Sequence, residues 1–134
     1  MNISTFDDLL QAARQQAQPQ RLLFVFAGAE LPADSNAQQR EAFSQGHGGA
    51  LVPVMYVDKL PQELSTFAAL EQESRAFGKD WSIVFAAALS GHGGLAPSSE
   101  LAEKPMQQMV EAIKAGSIGA FMPFNRQGET VSLN

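Results

Sequence analysis

The sequence predicts an α/β domain in which helices pack on a four-stranded, parallel or mixed sheet with the strand order 2-1-3-4. Helical and strand patterns alternate along the 134 residues, and the same order of elements occurs twice. One proline inside each of the second and fourth predicted strands sets the strand order. We expect a single domain, residues 1–134, built from two tandem helix-strand-helix-strand repeats over about residues 4–60 and 65–126.

The first half of the chain contains two predicted helices and two predicted strands. Apolar residues at helical spacing predict a helix over about residues 5–17. The continuous apolar run Leu22–Ala27 is typical of a strand that is buried on both faces. A weakly amphipathic helix over Ala37–Gln45 and a strand over Ala50–Val57 complete this half.

The second half repeats the pattern. In chain order we predict a helix from Pro61 to near Gly78, a strand over Trp81–Leu89, a helix from Pro105 to Gly116, a strand over Ile118–Phe124 and a short tail strand over Glu129–Leu133. Proline suits the first turn of a helix, so the polar stretch Ser90–Lys104 is expected to be a connection.

The two halves also match residue by residue. Ser4-Thr5-Phe6 corresponds to Ser65-Thr66-Phe67, and Glu41–Pro53 aligns without a gap on Glu111–Pro123. We interpret these matches as an internal duplication. The alternative is that two helix-glycine-strand junctions converged, because each needs a glycine to end its helix.

Two prolines predict which strands lie at the edges of the sheet. Pro53 and Pro123 occupy equivalent places in the second and fourth strands, and proline cannot donate a hydrogen bond to a neighbouring strand. Each of these strands should therefore lie at an edge or contain a bulge. The proline-free first and third strands are expected in the centre.

The composition of the chain excludes some classes of binding partner. Hydrophobic residues make up 45% of the chain and charged residues 17%, which is typical of globular proteins. The net charge is −5 and no basic cluster is present, so we expect no nucleic-acid or membrane partner. The lack of cysteine and of an N-terminal targeting pattern predicts a cytoplasmic protein.

Gly-His-Gly-Gly occurs twice, at residues 46–49 and 91–94, which raises the question of a metal site or a general base. In a parallel arrangement His47 and His92 would lie at opposite ends of the sheet, and the chain has no other histidine and no cysteine. We therefore expect neither a metal nor another cofactor. The alternative interpretation is that both histidines lie in exposed turns.

The second of these segments is the better candidate for a binding site. A glycine-rich loop after a central strand can direct several backbone N–H groups at a ligand. If the central strands are parallel, the loop that follows the first strand lies beside it. The predicted ligand-binding residues are Gly28, Ser90, Gly91, His92, Gly93 and Gly94. Glu30 would oppose a highly charged anion, so a weakly charged ligand is expected; the alternative is an ordinary surface connection.

Several segments resemble known proteins. Arg21–Ala27, Gly48–Met55 and Ile83–Gly91 are similar to a group of small, uncharacterised bacterial proteins often labelled "ribonucleotide reductase subunit alpha", and the resemblance covers essentially the whole chain. It implies no functional residues. The catalytic subunit of that enzyme uses a cysteine radical and a cysteine pair, so we expect the label to be wrong and this cysteine-free chain to lack the activity.

A fainter resemblance concerns topology alone. Gly49–Val54, together with Leu60 and Phe67, is similar to part of the N-terminal domain of SseB-type proteins, in which a proline-containing strand precedes a helix.

Two hypotheses for function remain open. The leading one is a non-catalytic cytosolic module that binds a protein partner or a small ligand, as a homodimer. The alternative is a small enzyme that acts on an anionic substrate at the loop Ser90–Gly94, with His92 as acid or base. A deep pocket with converging polar groups beside the loop would favour the enzyme.

Overall fold

The computed structural model describes residues 3–30, 36–44, 50–78 and 80–132. Four α-helices and four strands alternate along these residues, with a short 3₁₀ turn after the second strand. In chain order the elements are α1 (Phe6–Arg14), β1 (Gln20–Glu30), α2 (Ala37–Ser44), β2 (Ala50–Lys59), the 3₁₀ turn (Pro61–Glu63), α3 (Phe67–Arg75), β3 (Ile83–Ser90), α4 (Ser99–Lys114) and β4 (Met122–Phe124).

The strands form one sheet in the order β2-β1-β3-β4, as the sequence predicts. The expectation of a parallel or mixed sheet is wrong, because all three neighbouring pairs are antiparallel. In the central pair, Gln20 lies opposite Ser90 and Ala27 lies opposite Ile83. Strands buried on both faces are typical of parallel sheets, but here helices cover both faces of an antiparallel sheet, and β1 is buried on both faces for that reason.

Both prolines lie in edge strands. β2 pairs with β1 and β4 pairs with β3 at the two ends of the strand order, and on its outer side β4 forms a single bridge, from Phe124 to Thr130. The β1–β2 register also shifts, because Phe26 lies opposite Met55 and Ala27 lies opposite Pro53. Val54 is therefore an extra residue in the strand, so Pro53 sits beside a β-bulge. The predicted edge positions are confirmed, whereas a duplication of the two halves stays a prediction.

Helices α1 and α3 cover one face of the sheet. Thr5 caps α1 by accepting a hydrogen bond from the Asp8 amide, and Thr66 caps α3 by accepting one from the Ala69 amide. The buried side chains of this layer include Phe6, Leu10, Leu22, Phe24, Phe26, Phe67, Leu70, Trp81 and Phe124.

Helix α4 covers the other face. Its buried side chains are Ala102, Met106, Met109 and Ile113, which pack against Leu23, Val25, Ala27 and Phe85 of the two central strands. The sequence places the start of this helix at Pro105, which is wrong, since the helix begins at Ser99 and Pro105 lies inside it. Burial of Ala102 and Met106 against the sheet outweighs the one hydrogen bond that the proline removes.

The remaining boundaries differ in detail. α1 ends at Arg14, before residue 17, and the residues from Pro61 form a 3₁₀ turn separated from α3. β4 begins at Met122, four residues after the predicted start at Ile118. The predicted tail strand is reduced, within the described residues, to single bridges from Glu129 and Thr130. No helix in the described part of the chain is long and apolar enough to cross a bilayer.

Candidate functional site

The loop after β3 folds as a tight turn. The amide of His92 donates to the Leu95 carbonyl at 3.0 Å, and the Leu95 amide donates back to the His92 carbonyl at 3.1 Å. Gly93 and Gly94 between them have φ angles of 60° and 79°. A two-residue turn with positive φ at both central positions is a type I′ turn, which strongly favours glycine. The turn itself therefore accounts for the two adjacent glycines.

Gly91 is required by close packing. A Cβ atom at this position would lie 2.0 Å from the Leu95 carbonyl oxygen and 2.8 Å from the Pro19 carbonyl oxygen. The Gly91 amide donates to that same Pro19 oxygen at 2.8 Å. This hydrogen bond ties the turn to the residues just before β1.

Most amides of the turn already have protein acceptors. The Gly94 amide donates to Oε1 of Gln18 at 2.9 Å, and the amides of Gly91, His92 and Leu95 donate to backbone carbonyls. An anion-binding nest needs several adjacent N–H groups that point at the ligand. The backbone here is organised for a hairpin, so a ligand beside the turn must be held chiefly by side chains.

The structure separates the predicted site residues. Gly28 lies at the Ile83 end of the β1–β3 pair, whereas Ser90 lies opposite Gln20 at the other end. Eight residues of strand separate these ends, which is about 27 Å at ~3.4 Å per residue. The expectation that Gly28 flanks the loop is therefore wrong, because it followed from parallel strands. Ser90–Gly94 stay together, and His47 falls outside the described residues.

An apolar groove of about 470 Å³ lies beside the turn. Its walls come from the end of β3, the turn and the first two turns of α4. The apolar side chains that line it are Leu89, Leu95, Ala96, Pro97, Leu101 and Pro105. Leu95 is 75% exposed and Leu101 is 71% exposed, so two large apolar side chains face solvent on one side of the molecule.

Polar groups lie at the margin of this groove. Ser90, His92 and Ser98 contribute to the lining, and the Ser90 hydroxyl accepts a hydrogen bond from Gln20 Nε2 at 3.1 Å. Pro105 has no N–H and therefore cannot donate to the carbonyl of Leu101 one turn earlier. This carbonyl thus lacks its usual donor within the helix. The groove thus combines a largely apolar surface with a few hydrogen-bonding groups.

Arg21 holds the segment that leads into α4. Its Nε donates to the Pro97 carbonyl at 2.5 Å, and its Nη1 lies 2.6 Å from Oδ2 of Asp58. The Ser99 hydroxyl donates to the same Asp58 oxygen. Ser98 caps the helix by accepting a hydrogen bond from the Leu101 amide at 3.1 Å. These contacts fix one wall of the groove relative to the sheet.

On the opposite flank of α4 lies a second, smaller cleft of about 160 Å³. It opens between β2 and α4, and its polar lining consists of Tyr56, Asp58, Ser99, Glu103 and Gln107. Ala102 and Met106, which are buried against the sheet, supply its apolar part.

The clearest electrostatic perturbations lie away from both depressions. Hydrogen bonds from Arg75 and then from Arg126 lower the pKa of Glu71. Backbone and side-chain hydrogen bonds from Ser4 and Thr5 lower the pKa of Asp8 at the start of α1. Both carboxylates therefore stabilise the scaffold. No group of three or more metal-ligating side chains occurs in the part of the chain that the structure describes.

The groove residues outside the turn are absent from the sequence-based prediction. The missed signal is Ser98, a residue type that favours the N-cap position of a helix. Its side chain accepts a hydrogen bond from the amide of Leu101, three residues later, so the helix starts directly after it. Starting the helix there places Leu101 beside the buried stripe that contains Ala102 and Met106, and so marks it as an exposed leucine close to Leu95.

Comparison with known protein families, with curated proteins and with solved structures gave no match. The resemblances described from the sequence therefore stay predictions. Any functional conclusion depends on the groove and the cleft themselves.

Proposed function

We propose that this chain is a non-catalytic binding module whose groove, between the turn at residues 91–95 and the start of α4, holds a small, largely apolar ligand of little or no charge. We further propose a cytoplasmic location, on the ground that the chain contains no cysteine, and a homodimeric state.

The apolar lining of the groove is the observation that carries the proposal. Small-molecule sites are typically depressions of roughly 300–1,000 Å³ with mostly apolar walls and a few polar groups, and the volume of about 470 Å³ falls in this range. Leu95 and Leu101 expose 75% and 71% of their surface. Exposed apolar patches of this kind mark binding surfaces, because covering them removes apolar area from water.

The polar groups at the margin support a weakly charged ligand. Ser90, His92 and Ser98 can donate or accept hydrogen bonds, and the Leu101 carbonyl can accept one. Among the described residues, no lysine or arginine side chain lines the groove. A strongly charged anion would therefore lose its hydration without gaining a charged partner, which is unfavourable.

The geometry gives less support to an enzyme with an anionic substrate. In that alternative the turn binds the anion and His92 acts as acid or base. The amides of Gly91, His92, Gly94 and Leu95 already donate hydrogen bonds to protein acceptors. The hydrogen bonds described for His92 are made by its backbone. A catalytic histidine is normally oriented by a partner to its side chain.

Titration with two matched probes tests the proposal. We would add cyclohexanol, as a neutral apolar probe, and inorganic phosphate, as an anionic probe, to labelled protein and record NMR spectra. We expect cyclohexanol to give saturable shifts of the Leu95 and Leu101 methyl groups, with phosphate giving much smaller ones. Leu101→Gln should weaken cyclohexanol binding about tenfold, the cost of losing roughly 1.4 kcal/mol of apolar contact.

Phe77→Gln provides the control, because Phe77 is also exposed, at 60%, but lies outside the groove. It should leave cyclohexanol binding unchanged. Stronger shifts of the Gly91–Leu95 amides with phosphate than with cyclohexanol would overturn the proposal in favour of the enzyme. Sedimentation of wild type and Leu101→Gln adds a second test: loss of a dimer in the variant alone would assign the groove to self-association and contradict the ligand site.

A further inference from the structure

We infer that the cleft between β2 and α4 is a second binding site, specific for a small aliphatic amine in its ammonium form. The inference stands on residues that do not line the apolar groove, so it survives or fails independently of the proposed function. Four polar side chains carry it: Tyr56, Asp58, Ser99 and Glu103.

Asp58 is held in one orientation. Arg21 Nη1 lies 2.6 Å from Oδ2, and the Ser99 hydroxyl donates to the same oxygen. The side chains of Arg21 and Asp58 are 13% and 25% exposed, so the pair is partly withdrawn from solvent. Because both of these donors use Oδ2, the other oxygen, Oδ1, retains its capacity to accept. A carboxylate fixed in this way loses little conformational entropy when a ligand binds.

The charge around the cleft favours a cation. Arg21 neutralises Asp58, and Glu103 adds a second carboxylate without a described cationic partner. The local charge is thus negative, and the lining contains several acceptor oxygens, on Asp58, Glu103, Gln107 and Tyr56. An ammonium group supplies three N–H donors and no acceptor, which matches this set. The exposed ring of Tyr56 can add a cation–π contact.

The size and the remaining lining of the cleft restrict the ligand. The volume of about 160 Å³ is about a third of that of the apolar groove, so the cleft suits a shorter ligand than the groove does. The ring of Tyr56, which is 54% exposed, offers an apolar surface for methylene groups, and the buried Ala102 and Met106 lie beneath the cleft. A primary amine with a short aliphatic chain therefore fits both the charge and the size of the cleft.

The test compares three four-carbon probes on the full chain: n-butylammonium, 1-butanol and butyrate. Binding is followed by NMR through the amides of Ser99, Glu103 and Gln107. We expect saturable shifts with n-butylammonium, and at least fivefold weaker binding of 1-butanol and of butyrate. Equal binding of 1-butanol, or no saturable shift with n-butylammonium, would overturn the inference.

Two exposed glutamates on α4 provide matched variants. Glu103→Gln removes a carboxylate of the cleft, and Glu100→Gln removes one that does not line it. Glu103→Gln should weaken n-butylammonium binding about two- to fivefold, as expected for a partly exposed ion pair, and Glu100→Gln should leave it unchanged. Equal weakening by both variants would show a general charge effect and contradict a site. Both side chains are exposed, so both variants are expected to fold.

Discussion

The rings of Phe6 and Phe67 lie 5.0 Å apart between centroids, at an interplanar angle of 57°. Each phenylalanine is the first residue of its helix, and each follows a threonine that caps that helix. The two matching Ser-Thr-Phe segments thus meet in one core layer. This contact supports the proposal of duplication, because it gives equivalent residues of the two halves the same capping and packing roles.

Removing either ring should strongly destabilise the fold. Phe6 and Phe67 are 0% and 6% exposed, so Phe6→Ala or Phe67→Ala should lower the free energy of unfolding by about 3–5 kcal/mol. Phe77, which is 60% exposed, is the control, and Phe77→Ala should cost less than about 1 kcal/mol. Urea denaturation measures all three. Similar losses for Phe67→Ala and Phe77→Ala would contradict the placement of Phe67 in the core.

A methyl group at Gly91 should be poorly tolerated. Its Cβ would lie 2.0 Å from the Leu95 carbonyl oxygen, so the turn or the Pro19 segment must move, and we expect Gly91→Ala to cost at least about 2 kcal/mol. A Cβ at Gly119 would meet no described atom within 4 Å, and the φ of Gly119 is not positive, so Gly119→Ala should be neutral or slightly stabilising. Thermal unfolding curves of both variants test this, and equal midpoints would show that the turn is not tightly packed.

Glu71 should make stability depend on pH in the acid range. Hydrogen bonds from Arg75 and Arg126 lower its pKa in the folded state. The stabilisation is therefore complete above the unfolded-state pKa, about 4.3 for glutamate, and is lost as the pH falls through the lower folded-state pKa. Glu71→Gln should be less stable than wild type at pH 7, and the difference should disappear in strong acid. A difference that stays constant between pH 7 and pH 2 would contradict this assignment.

Arg21 should affect the two candidate sites in opposite directions. It donates to the Pro97 carbonyl at the groove and pairs with Asp58 at the cleft. Arg21→Met should lower the free energy of unfolding by about 1–3 kcal/mol, because Asp58 keeps its partial burial but loses its cationic partner. It should also weaken cyclohexanol binding, because the segment at Pro97 is no longer held, and it should strengthen n-butylammonium binding, because the negative charge of Asp58 is no longer compensated. Arg75→Met, at a side chain that is 69% exposed, is the control, and the same two changes in that variant would argue against a specific role for Arg21.

The strand order was predictable from sequence because Pro53 and Pro123 act locally, by removing donors from the strands that contain them. The direction of the strands could not be predicted in the same way. Antiparallel neighbours are commonly joined by short hairpins. Here residues 31–49 join β1 to β2, and residues 91–121, which include α4, join β3 to β4. Connections of this length also suit parallel crossovers, so their length carries no information on direction.

The candidate site was predictable in part. The sequence points to the segment Ser90–Gly94, and the structure shows three of its residues lining the groove: Ser90, Gly91 and His92. Leu95 and Leu101 were not predicted, because their role depends on an N-cap at Ser98 and on a helix that continues through Pro105. The cleft was not predicted either. Tyr56 and Asp58 meet Ser99 and Glu103 only when β2 and α4 pack together.

The most direct measurement of ligand binding in the groove is a set of intermolecular nuclear Overhauser effects between cyclohexanol ring protons and protein methyl groups. We predict contacts from cyclohexanol to the methyl groups of both Leu95 and Leu101. These contacts should be retained in Phe77→Gln and lost in Leu101→Gln. Contacts confined to methyl groups elsewhere in the chain, or none at a probe concentration that saturates the shift changes, would contradict it.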